Sequence, residues 1–211
     1  MLKAWLLVVA CGLCVVACAG PSNAGQGTTV STVAVQPSDL PGGMVRCNLS
    51  GNIEDFIKAE QSPDPNTSKS VSGYWQDAQT SGAKAAYTAI YSDSQTRCAA
   101  IKDPSTDVGT ATYKLVVNFV VQFKDEKTAA DAYTNKSIFG FSPAQLRSAP
   151  TIEGSKTGLT ANSIVLNQSI ASQSFYIAEW QNKAFMVILA VLNIDAEASK
   201  KVSTSENGRI K

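Results

Sequence analysis

A run of nine apolar residues at positions 184–192 constrains the fold more than any other segment. Its length suits a β-strand and falls well short of the ~20 residues with which a helix crosses a bilayer. Successive side chains of a strand point to opposite faces, so a strand without polar residues is apolar on both. We therefore expect a central strand that is covered on both sides, or one that lines a cavity for an apolar ligand.

A second long strand is predicted over residues 113–123. One of its faces carries only large apolar and aromatic side chains: Tyr113, Leu115, Val117, Phe119, Val121 and Phe123. The opposite face mixes valines with Lys114, Asn118 and Gln122. At least one face must belong to the core. Asp125 follows the strand and is a favourable N-cap for an alanine-containing helix.

The remaining elements are shorter. Further strands are predicted over residues 44–49, 85–91, 163–168 and 175–181, and helices near residues 53–57, 70–78, 125–135 and 195–203. Asn182 tolerates a positive φ and is expected to turn the last strand pair into a tight hairpin. Residues 39–211 are thus predicted to form a single α+β domain, mainly an antiparallel sheet with helices packed against it.

The succession strand, strand, Asp-capped helix occurs twice, over residues 85–135 and 175–203. This pattern is consistent with a duplicated β-β-α unit. It is also a common succession in unrelated chains. Duplication would place the helices on one face of the sheet.

The amino terminus has the features of an export signal. Lys3 is followed by apolar and small residues up to Ala17. Residues 15–18, Val-Val-Ala-Cys, resemble the lipobox of bacterial lipoproteins. The resemblance implies a signal peptide over residues 1–17, removed before Cys18, and a diacylglycerol on the Cys18 thiol. Cys11 also follows Val-Val-Ala, but the apolar stretch before it is too short for a usual signal. A plain secretory signal and an uncleaved anchor are the alternatives.

Residues 18–38 are predicted to be the lipidated cysteine followed by a flexible tether. From Ala19 to Ser38 the chain is rich in Gly, Ser, Thr and Pro and carries no charge. Such a composition offers little apolar surface to offset the loss of chain entropy on folding. The tether would hold the domain away from a lipid surface.

Cysteine usage agrees with export. After processing at Cys18, only Cys47 and Cys98 remain of the five cysteines. Two thiols in an oxidising compartment have one possible pairing, so a Cys47–Cys98 disulfide is predicted. Two buried free thiols are the alternative.

Composition excludes several functions. The chain has no histidine, so Ser-His-Asp triads, Cys-His pairs and histidine metal sites cannot form. Its 18 basic and 17 acidic residues nearly balance, which disfavours binding to nucleic acid. We expect neither a metal nor a cofactor.

One set of short motifs resembles penicillin-binding proteins and β-lactamases. The chain contains Ser-x-x-Lys at Ser81 and Lys84, Tyr-x-Asn at residues 133–135, and Lys-Thr-Gly at residues 156–158. The resemblance implies that Ser81 is an acylated nucleophile with Lys84 as its base. Against this, Ser81 stands at a predicted helix end beside Gly82, and the chain between the motifs is short.

Aromatic side chains with polar tips offer a further hint of binding. Six of them fall on segments that could converge on one sheet face: Tyr74, Trp75, Tyr87, Tyr91, Tyr176 and Trp180. They are a candidate ligand-binding surface, with an ordinary core as the alternative.

The sequence therefore predicts a lipid-anchored protein on the extracytoplasmic face of a bacterial cytoplasmic or outer membrane. Its domain is expected to be non-catalytic and to bind a protein or other partner. The alternatives are a carrier of an apolar ligand or lipid and, remotely, a serine acyl-enzyme.

Overall fold

The computed structural model describes residues 27–101, 111–170 and 172–211. Seven α-helices lie in these ranges: α1 (Val30–Val33), α2 (Ile53–Glu60), α3 (Pro65–Thr80), α4 (Gln95–Ala100), α5 (Glu126–Asn135), α6 (Pro143–Leu146) and α7 (Ala196–Gly208). Eight β-strands accompany them: β1 (Val45–Arg46), β2 (Gly51–Asn52), β3 (Ala83–Ser92), β4 (Leu115–Phe123), β5 (Thr151–Glu153), β6 (Ser163–Ile170), β7 (Gln173–Asn182) and β8 (Phe185–Leu192).

All eight strands belong to one antiparallel sheet, in the order β1-β3-β4-β8-β7-β6-β5, with β2 also paired to β3. The α+β fold class is therefore confirmed. The two most apolar strands, β4 and β8, are central neighbours, and their register places Asn118 opposite Leu189 and Phe119 opposite Ile188. Every residue of β8 is buried.

Helices cover both faces of this sheet, in three layers. On the face that we call the first, α2, α3 and α5 pack over Phe119, Ile188 and their neighbours. On the second face, α1 and α7 pack over Val120, Leu189 and the residues around them. The two-sided apolar pattern of β8 is explained by this double cover, because each alternate side chain enters a different core layer.

The predicted β-β-α repeat is not a structural repeat. The hairpins β3–β4 and β7–β8 are neighbours in the sheet, but α5 packs on the first face and α7 on the second. A twofold axis that exchanges antiparallel neighbours stands perpendicular to the sheet, so it would keep both helices on one face. The expectation of helices on a single face was wrong for the same reason.

Helix starts follow local capping chemistry. Asp125 and Asp195 accept hydrogen bonds from the backbone N–H groups of Thr128 and Ala198, as predicted for N-caps. Helix α3 begins earlier than expected, because Asp64 caps it and Pro65 occupies the first turn. Proline is well placed there, since its missing N–H has no partner in the first turn of a helix.

The β7–β8 hairpin turns one residue later than predicted. Asn182 still belongs to β7, and Lys183 adopts the positive φ of 49°. The Lys183 carbonyl accepts a hydrogen bond from the Gln181 side chain at 2.6 Å, which helps to hold this turn.

Residues 29–40, which we call the strap, correct the predicted tether. Instead of a free spacer to residue 38, the strap contains α1 and lies on the second face, where Val33, Ala34 and Val35 are fully buried. Valines at three positions supply the apolar surface that the flanking Gly, Ser and Thr residues lack. Cys18 and the residues up to 26 lie outside the described ranges.

Polar contacts hold the strap along its length. Arg209 donates to the carbonyls of Val33 and Ala34, each at 3.0 Å, and forms an ion pair with Asp39 at 2.9 Å. Asn118 accepts a hydrogen bond from the Val35 N–H at 3.0 Å. The Tyr91 hydroxyl donates to the Val35 carbonyl at 2.9 Å. The strap is thus joined to both a central strand and the carboxyl-terminal segment.

Truncation of the central side chains should be costly. We expect Phe119→Ala to lower the free energy of unfolding by about 3–5 kcal/mol and Leu189→Ala by about 2–5 kcal/mol, because each loses transfer energy and leaves a cavity. Ile170→Ala is the matched control, since that side chain is 56% exposed and should lose little. Urea unfolding followed by circular dichroism measures all three, and equal losses in the three variants would contradict the assignment of the core.

Candidate functional site

The six aromatic residues proposed as a binding surface do not converge. Tyr87, Tyr91, Tyr176 and Trp180 point to the second face of the sheet, whereas Tyr74 and Trp75 lie on α3 over the first. Four of the six are buried: Trp75, Tyr91, Tyr176 and Trp180. Tyr87 is half-buried and Tyr74 is 37% exposed. The set is therefore mostly core, divided between two layers.

The polar tips of these aromatics serve the fold. The Trp75 indole N–H donates to Glu54 at 3.3 Å, and the Tyr176 hydroxyl is hydrogen bonded to the Ser203 hydroxyl at 2.7 Å. Trp180 is fully buried, and its indole N–H has no hydrogen-bond partner among the described residues. A polar group in that position favours neither a ligand nor a partner, because no solvent-accessible space reaches it.

The sequence left two arrangements open for β8, a central strand covered on both sides or a strand that lines a cavity for an apolar ligand. All eight side chains of β8 are 0–4% exposed and pack into the two core layers. None of five hollows compared on the described surface is lined by a residue of β8. A carrier with its ligand against this strand is thus disfavoured, since such sites are usually preformed cavities of a few hundred Å³ or more.

The motifs that resemble penicillin-binding proteins are also dispersed. Ser81 ends α3, donates to the Asp77 carbonyl at 2.9 Å, and lines a hollow together with Asn135. Lys84 lines a different hollow beside Trp75, and Lys156 lines a third on the second face. A serine nucleophile needs its base within about 3 Å, so this arrangement does not assemble the implied acylation site.

Two buried carboxyl groups were not anticipated from the sequence. Glu179 on β7 lies on the first face between Ile164 of β6 and Ile188 of β8. It is fully buried, and neither oxygen has a hydrogen-bond partner among the described residues. Burial raises the pKa of Glu179 to about 8, and the nearby Arg147 opposes this rise only in part. Arg147 is itself engaged by Glu153, at 2.9 and 3.0 Å.

Glu206 on α7 is the second, on the opposite face of the sheet. Its side chain is fully buried, and burial raises its pKa well above the ordinary value. The Asn118 amide and the Arg209 guanidinium favour the charged form and reduce the rise. Asn118 is already hydrogen bonded to Val35 and Ile188, and Arg209 to the strap. Both carboxyl groups are sealed from solvent, so they are not positioned to exchange protons with a substrate.

These carboxyl groups predict a fall in stability with rising pH. The unfolded chain releases their protons near the ordinary pKa of 4.5, whereas folded Glu179 holds its proton up to about pH 8. Between these values the folded state binds more protons, so the free energy of unfolding decreases as the pH rises. We expect a loss of roughly 2–4 kcal/mol between pH 5 and pH 8, since one pKa unit corresponds to about 1.4 kcal/mol.

Chemical denaturation across this pH range tests the effect. Gln cannot titrate, so Glu179→Gln should reduce the fall in the free energy of unfolding between pH 5 and pH 8. Glu197 is exposed on α7, and Glu197→Gln should leave that fall unchanged. A wild-type slope retained in Glu179→Gln would show that Glu179 does not cause it.

The Cys47–Cys98 disulfide is formed, as predicted. Its Cα atoms are 5.1 Å apart, which is an ordinary separation for a bridge. Cys98 lies on α4, a helix that the sequence did not predict, and Cys47 lies in the turn between β1 and β2. The bridge therefore ties a surface helix to the edge of the sheet.

A hollow of about 220 Å³ opens beside this bridge, and we call it the disulfide hollow. Its walls come from the β1–β2 turn, the end of α2 and helix α4: Asn48, Leu49, Glu60, Gln95, Cys98, Ala99 and Ile101. Three of these side chains are polar, Asn48, Glu60 and Gln95, and they share the hollow with apolar groups. This mixture is typical of small-molecule sites.

Glu60 gives the disulfide hollow its chemistry. Its side chain is 8% exposed, although glutamate is seldom buried without a partner. No hydrogen bond or ion pair joins it to another residue in the described part of the chain. Burial, and then the negative charge of Asp64, raise the pKa of Glu60. The only signal for this site in the sequence was indirect, namely the cysteine pair, whose members lie in or beside two of its walls.

Removal of the disulfide should destabilise the domain. The bridge spans 51 positions, and closing a loop of that size restricts the unfolded chain by roughly 4 kcal/mol in the loop-entropy description. We expect Cys47→Ser, Cys98→Ser and the double variant each to lose about 2–5 kcal/mol. Non-reducing peptide mapping checks the pairing, and two thiols that alkylate freely in the native oxidised protein would refute it.

Comparison with known proteins found no relative. A scan against models of protein families, a search of curated proteins and a search of solved structures each returned no match. Within the described ranges, no helix has both the length and the hydrophobicity needed to cross a membrane. The same ranges contain no cluster of three or more Cys, Asp or Glu side chains suited to hold a metal ion.

Proposed function

We propose that this chain is a lipid-anchored protein of the bacterial cell envelope, exposed on the extracytoplasmic side, with a domain that binds a partner and does no catalysis. The observation that carries the proposal is the closed Cys47–Cys98 bridge in a chain that begins with a lipobox-like segment. Structural disulfides persist in oxidising compartments and are rare in the cytoplasm. The bridge and the leader thus support the same compartment independently.

The strap supports an attachment close to the lipid surface. Thr29, where the strap begins, is 11 positions after Cys18. A chain of this length reaches at most about 40 Å when fully extended. Because Arg209 and Asn118 fix the strap to the domain, the proposed spacer is about half as long as the composition of residues 18–38 implied. The second face would therefore stay near the membrane.

The binding role without catalysis is supported by the side chains available. The chain lacks histidine, and Ser81 and Lys84 line different hollows. Glu179 and Glu206 line none of the five hollows compared on the described surface. The disulfide hollow, in contrast, presents a buried acidic group to solvent-accessible space. A ligand bound in the hollow would contact this group.

Anchoring is tested by cysteine substitution. Cys18→Ser should stop processing and leave a longer precursor without lipid, whereas Cys11→Ser should be processed almost normally, because the lipobox-like segment precedes Cys18. Detergent partitioning of membranes and mass spectrometry of the amino-terminal peptide measure both. The reverse pattern would move the lipidation site to Cys11, and normal processing of both variants would indicate a plain secretory signal.

A further inference from the structure

We propose that the disulfide hollow binds an organic cation that carries a primary ammonium group on an alkyl chain, such as a lysine side chain or a small aliphatic amine. The inference rests on the proposed binding role and gives it a ligand class. It starts from Glu60, a residue that is only 8% exposed, lines the hollow and has no side-chain partner within the described residues.

The local charges favour a cation. Asp64 adds a second negative charge close to Glu60 and raises its pKa, so the two acids repel each other. Arg97, the basic residue of α4, lies over the Tyr113 ring, 4.9 Å from its centroid, and Lys58 of α2 is not among the residues that line the hollow. A bound ammonium group would supply the missing positive charge and relieve both the desolvation of Glu60 and the repulsion by Asp64.

The number of acceptors fits an ammonium group better than a metal ion. An alkylammonium group has three N–H donors. Glu60, Asn48 and Gln95 line the hollow, and their side chains carry one carboxylate and two amides. A calcium ion takes six to eight oxygen ligands, and the described residues contain no acidic cluster of that kind.

The remaining walls suit an alkyl chain. Leu49, Ala99 and Ile101 are the apolar residues of the hollow, and Ile101 is buried. A volume of about 220 Å³ accepts a chain of about four carbons with its ammonium head. Burial of such a chain contributes roughly 0.8 kcal/mol for each CH₂ group. The ligand is thus recognised by a charged head and a short apolar stem.

The disulfide makes the site dependent on oxidation. Asn48 directly follows Cys47, and Ala99 directly follows Cys98, so the bridge fixes two opposite walls. Without it, the β1–β2 turn and α4 lose their covalent connection. A ligand that needs groups from both walls should then bind more weakly.

Titration of the purified full-length protein, with its disulfide intact, by n-butylammonium chloride at pH 7 tests the proposal. Nuclear magnetic resonance should show saturable shifts of the Asn48, Ala99 and Ile101 amides. Glu60→Gln should weaken binding at least tenfold, because it removes the negative charge and keeps the shape. Glu126→Gln, at an exposed position on α5, is the matched control and should bind as the wild type does. n-Butanol and butyrate should produce no saturable shifts.

Two further readouts separate the outcomes. Lowering the pH to 4 should weaken binding, because the raised pKa leaves Glu60 mostly neutral there. Glu60→Gln should melt no lower than the wild type, which distinguishes loss of binding from loss of folding. Equal affinities of Glu60→Gln and Glu126→Gln, or no saturable shift in the folded wild type, would overturn the proposal. Processing at Cys18 does not depend on Glu60. If the disulfide hollow does not bind the amine, the anchoring proposal is therefore still tested separately by the Cys18 variants.

Discussion

The pairing of β4 with β8 is the constraint on which the rest of the structure depends. Both strands carry apolar side chains on their two faces, so each face of the sheet centre must be covered. The first face is covered by three helices, α2, α3 and α5. The second face has only α7 and the short α1, which explains why the strap is required as part of the core. A segment with the composition of a linker is ordered because it completes an otherwise exposed surface.

The polar side chains buried in the two core layers include Asn118, Glu179 and Glu206. Asn118 sits on the second face of the central strand and satisfies its amide by bonding to the strap and to β8. The carboxyl oxygens of Glu179 and Glu206 have no hydrogen-bond partner of that geometry among the described residues, and burial raises the pKa of both groups, which favours their neutral forms. A neutral carboxyl group costs far less to bury than a charged one, so the fold tolerates them at the expense of stability in alkaline solution. Glu60 differs from Glu179 and Glu206 because it lines a hollow. In the proposed complex, a bound cation would neutralise its negative charge there.

The sequence predicted the elements whose signals are local. A period-two pattern located β4, and an unbroken apolar run located β8. Aspartates located the starts of α5 and α7, and the cysteine count predicted the disulfide. The order of the strap was not predicted, because Val30, Val33 and Val35 are buried only by packing on strands that are distant in the sequence. Neither the face chosen by α7 nor the dispersal of the aromatic residues is encoded locally. The disulfide hollow could not be predicted either, since Glu60 comes within reach of α4 only through the tertiary fold.

The strap also joins the first and the last segments of the described domain. Arg209 directly follows α7. It donates hydrogen bonds to the carbonyls of Val33 and Ala34 and forms an ion pair with the Asp39 carboxylate. Tension on the amino-terminal side of the domain is therefore transmitted first to the last turn of the carboxyl-terminal helix and to Asn118 in the sheet centre. Arg209 is thus the residue that connects the strap to the end of α7. To separate the strap from the domain, the hydrogen bonds of Arg209 and its ion pair with Asp39 must break.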